Sequence, residues 1–326
     1  MTDLQIDANV PRLSDAVVDA AVLAEERGFD GVWSHEIDGD AFLPLTLVAE
    51  HTDEIDFGTR IALSFTRSPM VLAYIAWDLA RYSNGRFILG LGTQVKGHNE
   101  RRFSVDWTAP GPRLREVVES LNHIFSVFQG EERLDYEGDH YAFSLMTEFF
   151  HPEPIGQPDI PIYIAGINEY NLRLAGERCE GLAMHAFNTP GYTEDVVVPT
   201  VAEGAAAADR SMDEVVISAS PFVITGETDE EIERQRAEVR RRVAFYGSTR
   251  TYHDVFEHHG WKDVGMELHE LSTEGRWDEM PDLVTDEMLA AFAIEAPPDE
   301  ILPTVREVYG DIADRVVVPL DHVERV

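Results

Sequence analysis

The chain has 326 residues, 44% hydrophobic, 27% charged and 10% aromatic, a globular composition long enough for two ordinary domains or one large barrel with insertions. Its 61 acidic residues against 26 basic ones give a net charge of −35, a field that repels nucleic acid and anionic membrane, because phosphate binding needs clustered bases. The single cysteine, Cys179, excludes an internal disulfide framework and any multi-cysteine metal or iron–sulfur site.

The amino terminus, Met1-Thr-Asp-Leu-Gln-Ile, carries an acid where a secretion signal needs a basic stretch and a long apolar core. With no window as apolar as a membrane span, a cytoplasmic protein is expected. Leu4–Ala8 reads as a strand, and a helix over 14–27 follows it, with Gly28 as its stop. Residues 30–33 are a second strand and 42–51 a second helix. Ile55–Leu63 is a third strand, after which Ser68 caps a helix with Pro69 at its first position, running to Tyr82. Ser83-Asn-Gly85 turns that helix into a fourth strand over 86–91.

A polar stretch over 92–112 precedes a helix over 113–128, and residues 134–143 read as a hairpin outside the main alternation. Strand and helix then alternate again: 161–165 with 169–178, 181–185 with 192–207, and 215–224 with 229–245. Residues 248–284 read as an irregular excursion, followed by helical stretches over 285–294 and 298–309 and a last strand over 315–318. Eight strands alternating with helices predict a parallel sheet, and eight is the closed-barrel number; a doubly wound open sheet is the other arrangement. Without an internal repeat or linker, one domain over 1–326 is expected, an α/β (βα)8 TIM barrel with insertions near 93–112, 130–160 and 248–284.

Two of the 26 bases are lysine, Lys96 and Lys262, and the rest are arginine. Such excess charge destabilises a compact state unless salt screens it, to a Debye length of roughly 3 Å near 1 M. A salt-loving host is the expectation that follows from this acidic protein.

Several clusters bear on chemistry. Leu89-Gly-Leu-Gly-Thr-Gln-Val-Lys-Gly97 contains Gly90-x-Gly92 but has Val95 where a dinucleotide fingerprint needs its third glycine, and no helix opens at once. These glycines either let the strand pack closely or let a flat ring approach the backbone. Ala165-Gly-Ile-Asn168 enters a helix, where backbone N–H groups and the helix dipole bind phosphate without lysine; alternatively Gly166 turns the chain and Asn168 caps the helix. His35-Glu36-Ile-Asp38-Gly-Asp40 has four potential ligands but no cage spacing, so no metal is expected. His253, His258 and His259 lack zinc-protease spacing, the arginine run over 240–242 belongs to a charged helix, and no Gly-x-Ser-x-Gly elbow occurs.

Ser83-Asn-Gly-Arg-Phe-Ile-Leu-Gly-Leu-Gly-Thr93 resembles the signature of the bacterial-luciferase-like oxidoreductases. Gly58-Thr59 with Arg67-Ser-Pro69, the segment Glu177–Gly181, and Leu283-Val-Thr-Asp-Glu-Met288 are also similar to that family. In the Glu177–Gly181 segment Cys179 and Glu180 depart from the family pattern. Gln94-Val-Lys-Gly-His-Asn-Glu-Arg-Arg-Phe103 resembles a run of the branch using an 8-hydroxy-5-deazaflavin, coenzyme F420. The resemblance implies that Ser64, Phe65, Gly92 and Thr93 flank a deazaflavin ring, with a cis non-prolyl peptide at Ser64–Phe65. It also implies that Gly166, Ile167 and Asn168 hold the coenzyme's phosphate.

Ile37 stands where the family often has a proton-donating histidine, so Glu36 and His98 are the catalytic candidates, with His35 and Glu100 as substitutes. The expected reaction is hydride transfer to or from a small organic substrate by a homodimer. The alternatives are an FMN-dependent monooxygenase fed reduced flavin by a partner reductase, and a flavin-binding barrel without catalysis.

Overall fold

Residues 4–326 are described by the computed structural model of the chain. The elements in chain order are β1 (Gln5–Asn9), α1 (Ala16–Glu26), β2 (Gly31–Ser34), α2 (Leu43–His51), β3 (Asp56–Thr59), β4 (Ala62–Leu63), α3 (Pro69–Tyr82) and β5 (Phe87–Gly92). Then come α4 (Lys96–Arg101), α5 (Pro110–Phe128), the hairpin strands β6 (Tyr136–Glu137) and β7 (Ala142–Phe143), β8 (Ile162–Ala165), α6 (Glu169–Arg178) and β9 (Gly181–Ala183). Next are α7 (Pro190–Tyr192), α8 (Val198–Ala207), β10 (Val216–Ala219), β11 (Phe222–Ile224), α9 (Asp229–Gly247), α10 (His253–His258) and α11 (Lys262–Glu274). The chain finishes with α12 (Asp286–Phe292), β12 (Ala293–Glu295), α13 (Ile301–Tyr309) and β13 (Arg315–Val317).

Parallel pairing runs β3-β2-β1-β13-β10-β9-β8-β5, and β3 pairs with β5 to close the ring. This is a closed eight-stranded parallel barrel wrapped by helices, and the open-sheet alternative falls. Closure forces β3 and β5 together. A Cβ on Gly90 would lie 1.9 Å from the Thr59 carbonyl oxygen, and one on Gly58 would lie 2.3 Å from that of Ile88. Glycine at both positions is therefore the condition for closure, and the Thr59 hydroxyl completes the joint by donating to the Gly90 carbonyl at 2.6 Å.

The third expected strand is two strands, β3 and β4, interrupted at Arg60–Ile61. The cis peptide lies there and not at Ser64–Phe65. The seventh likewise divides at Ser220-Pro221: β10 stays in the barrel while β11 leaves to pair with β12. Residues 248–284, expected to be irregular, carry α10 and α11. Val264, Leu268 and Leu271 recur at helical spacing, and Leu268 and Leu271 are buried. The polar stretch after β5 carries α4. Among the described residues no helix is long and apolar enough to cross a membrane.

Inside the lower barrel Arg315 meets both oxygens of Asp7, at 2.9 and 3.0 Å, and Asp56 at 3.0 Å. Trp33 donates its indole N–H to Asp7 at 2.8 Å. Gly31 makes room for this cluster, since a Cβ there would stand 2.4 Å from the Arg315 guanidinium.

Candidate functional site at the barrel mouth

The strand ends at the mouth are tied down by polar contacts. The Arg60 guanidinium crosses the barrel, donating to the Ser218 hydroxyl at 2.7 Å and to the carbonyls of Met184 and Ser218 at 2.9 Å. Burial lowers its pKa to about 10, so it remains a cation at neutral pH. The Arg60 carbonyl contacts His35 Nδ1, while His35 Nε2 stands 2.9 Å from the Asn9 amide oxygen. Burial, then the charges of Arg60 and Arg242, lower the His35 pKa. Both ring nitrogens of His35 thus face protein acceptors.

Glu36, expected to handle a proton, is engaged by Arg67 and by the backbone of Leu63. Its two oxygens accept from Arg67 at 2.8 and 2.9 Å, and one also accepts the Leu63 backbone N–H at 2.7 Å. Arg67 continues to Asp40 at 2.6 Å and lies 5.2 Å over the Phe42 ring. With Glu36 only 10% exposed, this is a clamp on the end of β4. Ser64 performs the next tie: its hydroxyl and its N–H both donate to the Gly92 carbonyl, at 2.7 and 3.0 Å. Phe65 is buried against Trp107 with the Arg113 guanidinium 4.4 Å over its ring. Gly92 is covered by Ile61, for a Cβ there would meet the Ile61 side chain at 2.6 Å and Ala165 at 3.3 Å.

A cleft of about 1400 Å³ opens beside these ends. Thr93 follows β5, and Asn168 and Asn171 begin α6; α4 and residues 107–112 form one wall, and residues 245–277 contribute the other. Of the expected site residues, Thr93, His98 and Asn168 line it. Asn168 caps α6, its side-chain oxygen accepting the Asn171 N–H at 3.0 Å. Ile167 is buried, and a Cβ on Gly166 would press on Asn171 at 3.0 Å and Leu182 at 3.1 Å. Packing around Gly166 is thus tight. His98 is exposed, while Glu100 pairs with Lys96 at 3.8 Å on the surface of α4.

Lys96, Arg101, Arg102 and Arg250 line the cleft, and among the described residues no aspartate or glutamate does. In a chain with more than twice as many acids as bases, this is a local reversal of charge. Arg102 is held by the Ile37 carbonyl and lies 4.8 Å over Phe103. Arg101 and Arg250 form no ion pair among the described residues. Also among the described residues, no group of three or more His, Cys, Asp or Glu side chains converges as a metal site.

Sequence reasoning missed Arg60 and His185. Arg60 had a signal, since an arginine inside an apolar strand run is rarely buried without partners. His185 follows β9, its Nδ1 accepting the Phe187 N–H at 2.9 Å and its ring packed 4.5 Å from Tyr246 and 4.9 Å from Tyr252. Burial, then Arg242 and Arg60, lower its pKa to about 4. At neutral pH the ring is uncharged and its proton sits on Nε2.

Comparison with known proteins bears on this geometry. The family model described as luciferase-like monooxygenase matches residues 5–315. An uncharacterized protein of Mycobacterium tuberculosis is 41% identical over 314 residues, spanning 96% of this chain and 92% of that protein. The 5,10-methylenetetrahydromethanopterin reductase of Archaeoglobus fulgidus is 29% identical over 296 residues, covering 87% of this chain and 83% of the reductase. Among solved structures, the coenzyme F420 dependent tetrahydromethanopterin reductase from Methanopyrus kandleri shares the fold, with a TM-score of 0.79 at 23% identity over 99% of this chain and 97% of that one.

Proposed function

Because this chain belongs to the luciferase-like monooxygenase family, we propose that it is an oxidoreductase using coenzyme F420 to pass a hydride to or from a small organic substrate. The observation that carries the reading is the acid-free, arginine-bearing cleft at the strand ends of a strongly acidic protein. An anionic coenzyme fits Asn168 and Arg250 of that lining, and a similar reductase from Archaeoglobus fulgidus adds support. When bound, the deazaflavin supplies the redox chemistry at carbon 5 of its ring.

The residues of the chain then have distinct tasks. Asn168 and the N–H groups that open α6 hold the phosphate, since the first turn of a helix offers unpaired donors and the positive end of its dipole; Arg250 adds a full charge. Ser64, Phe65, Gly92 and Thr93 shape the ring's seat, the first three from within the packing. Glu36 is a positioning residue that fixes Leu63 and Arg67. His98, exposed at the cleft edge, exchanges the proton with substrate. A family of monooxygenases keeps FMN, supplied reduced by a partner enzyme, as the rival reading.

Titrating the protein with purified coenzyme F420 and with FMN, followed by absorbance, tests the proposal. Binding of F420 at least tenfold tighter than FMN is expected, and tighter binding of FMN would overturn it. Single-turnover reduction of the bound coenzyme separates catalysis from mere binding. We read the charge of −35 as adaptation to high salt. Unfolding midpoints should rise from dilute to molar salt, and equal midpoints would refute that adaptation.

A further inference from the structure

The cleft exceeds the needs of one ligand. Pockets that enclose a single small molecule run to about 1,000 Å³, against about 1400 Å³ here. Beyond the start of α6, its surroundings are of two kinds. On the α4 wall stand Arg101 and Arg102; Arg101 folds back over the first turn of its helix, where a Cβ on Gly97 would stand 2.8 Å from its guanidinium. On the other wall Phe245 and Trp277 pack together with ring centroids 6.0 Å apart, yet remain 53% and 49% exposed. Two large aromatic rings left about half exposed, across the cleft from guanidinium groups that form no ion pair among the described residues, give it an apolar face and a cationic edge. Planar guanidinium forks match carboxylate and phosphate oxygens in pairs, and aromatic rings favour stacking on a flat partner.

We propose that this outer part of the cleft is the substrate subsite, and that the substrate is a ring-bearing organic anion whose carboxylate or phosphate meets Arg101 and Arg102 while its ring lies on Phe245 and Trp277. The assignment rests on the reading of the inner part as the coenzyme's seat. A neutral aliphatic substrate would leave the arginines without a counterpart.

The test is calorimetric titration of the coenzyme-loaded full chain with 2-naphthoate and with its neutral counterpart, 2-naphthamide. Naphthoate should bind at least tenfold more tightly. The double variant Arg101→Gln, Arg102→Gln should lose most of that gap without weakening naphthamide, and Trp277→Ala should weaken both probes severalfold. Equal affinities, a gap that survives in the double variant, or no binding of either probe would overturn the proposal. Displacement of naphthoate by the coenzyme would also overturn it, because the arginines would then serve the coenzyme's own anion. If F420 fails to bind, the same titration of the unloaded chain still reads the charge gap, so the failure of the coenzyme assignment is distinguished from failure of the subsite.

Discussion

In the lower barrel Arg315 is buried and meets Asp7 and Asp56 at 2.9–3.0 Å, with Trp33 completing the shell. At the mouth Arg101 and Arg250 stand exposed with no ion pair among the described residues. The two regions use the same residue type toward opposite ends. A buried cation survives only where partners replace its lost water, so the lower cluster reports on folding. An exposed cation has no such need, and its survival without a carboxylate in a chain of 61 acids reports on what the cleft receives.

The sharpest way to break this contrast is in the barrel. Asp7→Asn keeps the shape but leaves Arg315 with only half-exposed Asp56 as a charged partner. Removing one member of a buried pair typically destabilises by about 3–5 kcal/mol. Denaturant unfolding should show a loss of that order, while F420 affinity in the folded fraction stays within about twofold of the parent, well under the tenfold that 1.4 kcal/mol represents. A loss below about 1 kcal/mol, the ordinary size for a surface change, would mean that the cluster does not hold the barrel.

At the mouth the largest expected effect is on rate. His98→Asn removes a titratable ring from the cleft edge, and a well-placed proton donor contributes typically 10²–10⁴-fold. The single-turnover hydride-transfer rate should fall at least a hundredfold, with coenzyme affinity retained. Glu36→Gln should act instead on stability, because its carboxylate neutralises Arg67 and receives the Leu63 N–H. If His98→Asn is silent and Glu36→Gln abolishes transfer at full stability, the two roles are reversed.

A smaller effect separates cap from anion site. Asn168→Asp preserves the side-chain acceptor for the Asn171 N–H and suits the positive end of the helix dipole, so α6 should be as stable as before. The added negative charge should nonetheless raise the F420 dissociation constant about tenfold, or 1.4 kcal/mol. An unchanged constant would remove this helix start from the coenzyme site. A bulkier change at Gly166 tests less cleanly, since its Cβ would already press on Asn171 and Leu182.

What was legible in the sequence follows from which interactions are local. Most barrel strands, the Ser68 cap and the Ser83-Asn84-Gly85 turn, with Asn84 and Gly85 at positive φ, depend on neighbours a few residues away and match the expectation; the helix expected over 285–294 ends at Phe292, where β12 begins. The break at Arg60–Ile61 and the departure of β11 depend on β5 and β12, tens of residues off. Glu36 was legible as an acid at a strand end; its commitment to Arg67 was not, because that pair is set by how β2 and β4 lie in space. The charge reversal of the cleft is the extreme case. Arg101, Arg102 and Arg250 are scattered among many acids along the chain, and folding leaves them without an ion pair among the described residues.

The least effect expected lies between the two regions, at His185. Burial holds its folded pKa near 4, against about 6.5 unfolded. As pH falls below 6.5 the unfolded chain takes up this proton while the folded chain does not, so stability is lost progressively down to pH 4 and is unaffected above 6.5. His185→Phe keeps a ring between Tyr246 and Tyr252 and removes the titration, while the acceptor lost to the Phe187 N–H is a penalty common to every pH. From pH 7.5 to 5.5 the parent should therefore lose about 1 kcal/mol more than the variant, in unfolding at constant salt. His35 and the carboxylates titrate in both proteins and cancel in the difference. Parallel curves would show that His185 gains its proton in the folded state, beside Arg60 and Arg242. The upper barrel would then admit water freely, and the line between its enclosed charges and those of the open cleft would have to be drawn lower, at Asp7 and Arg315.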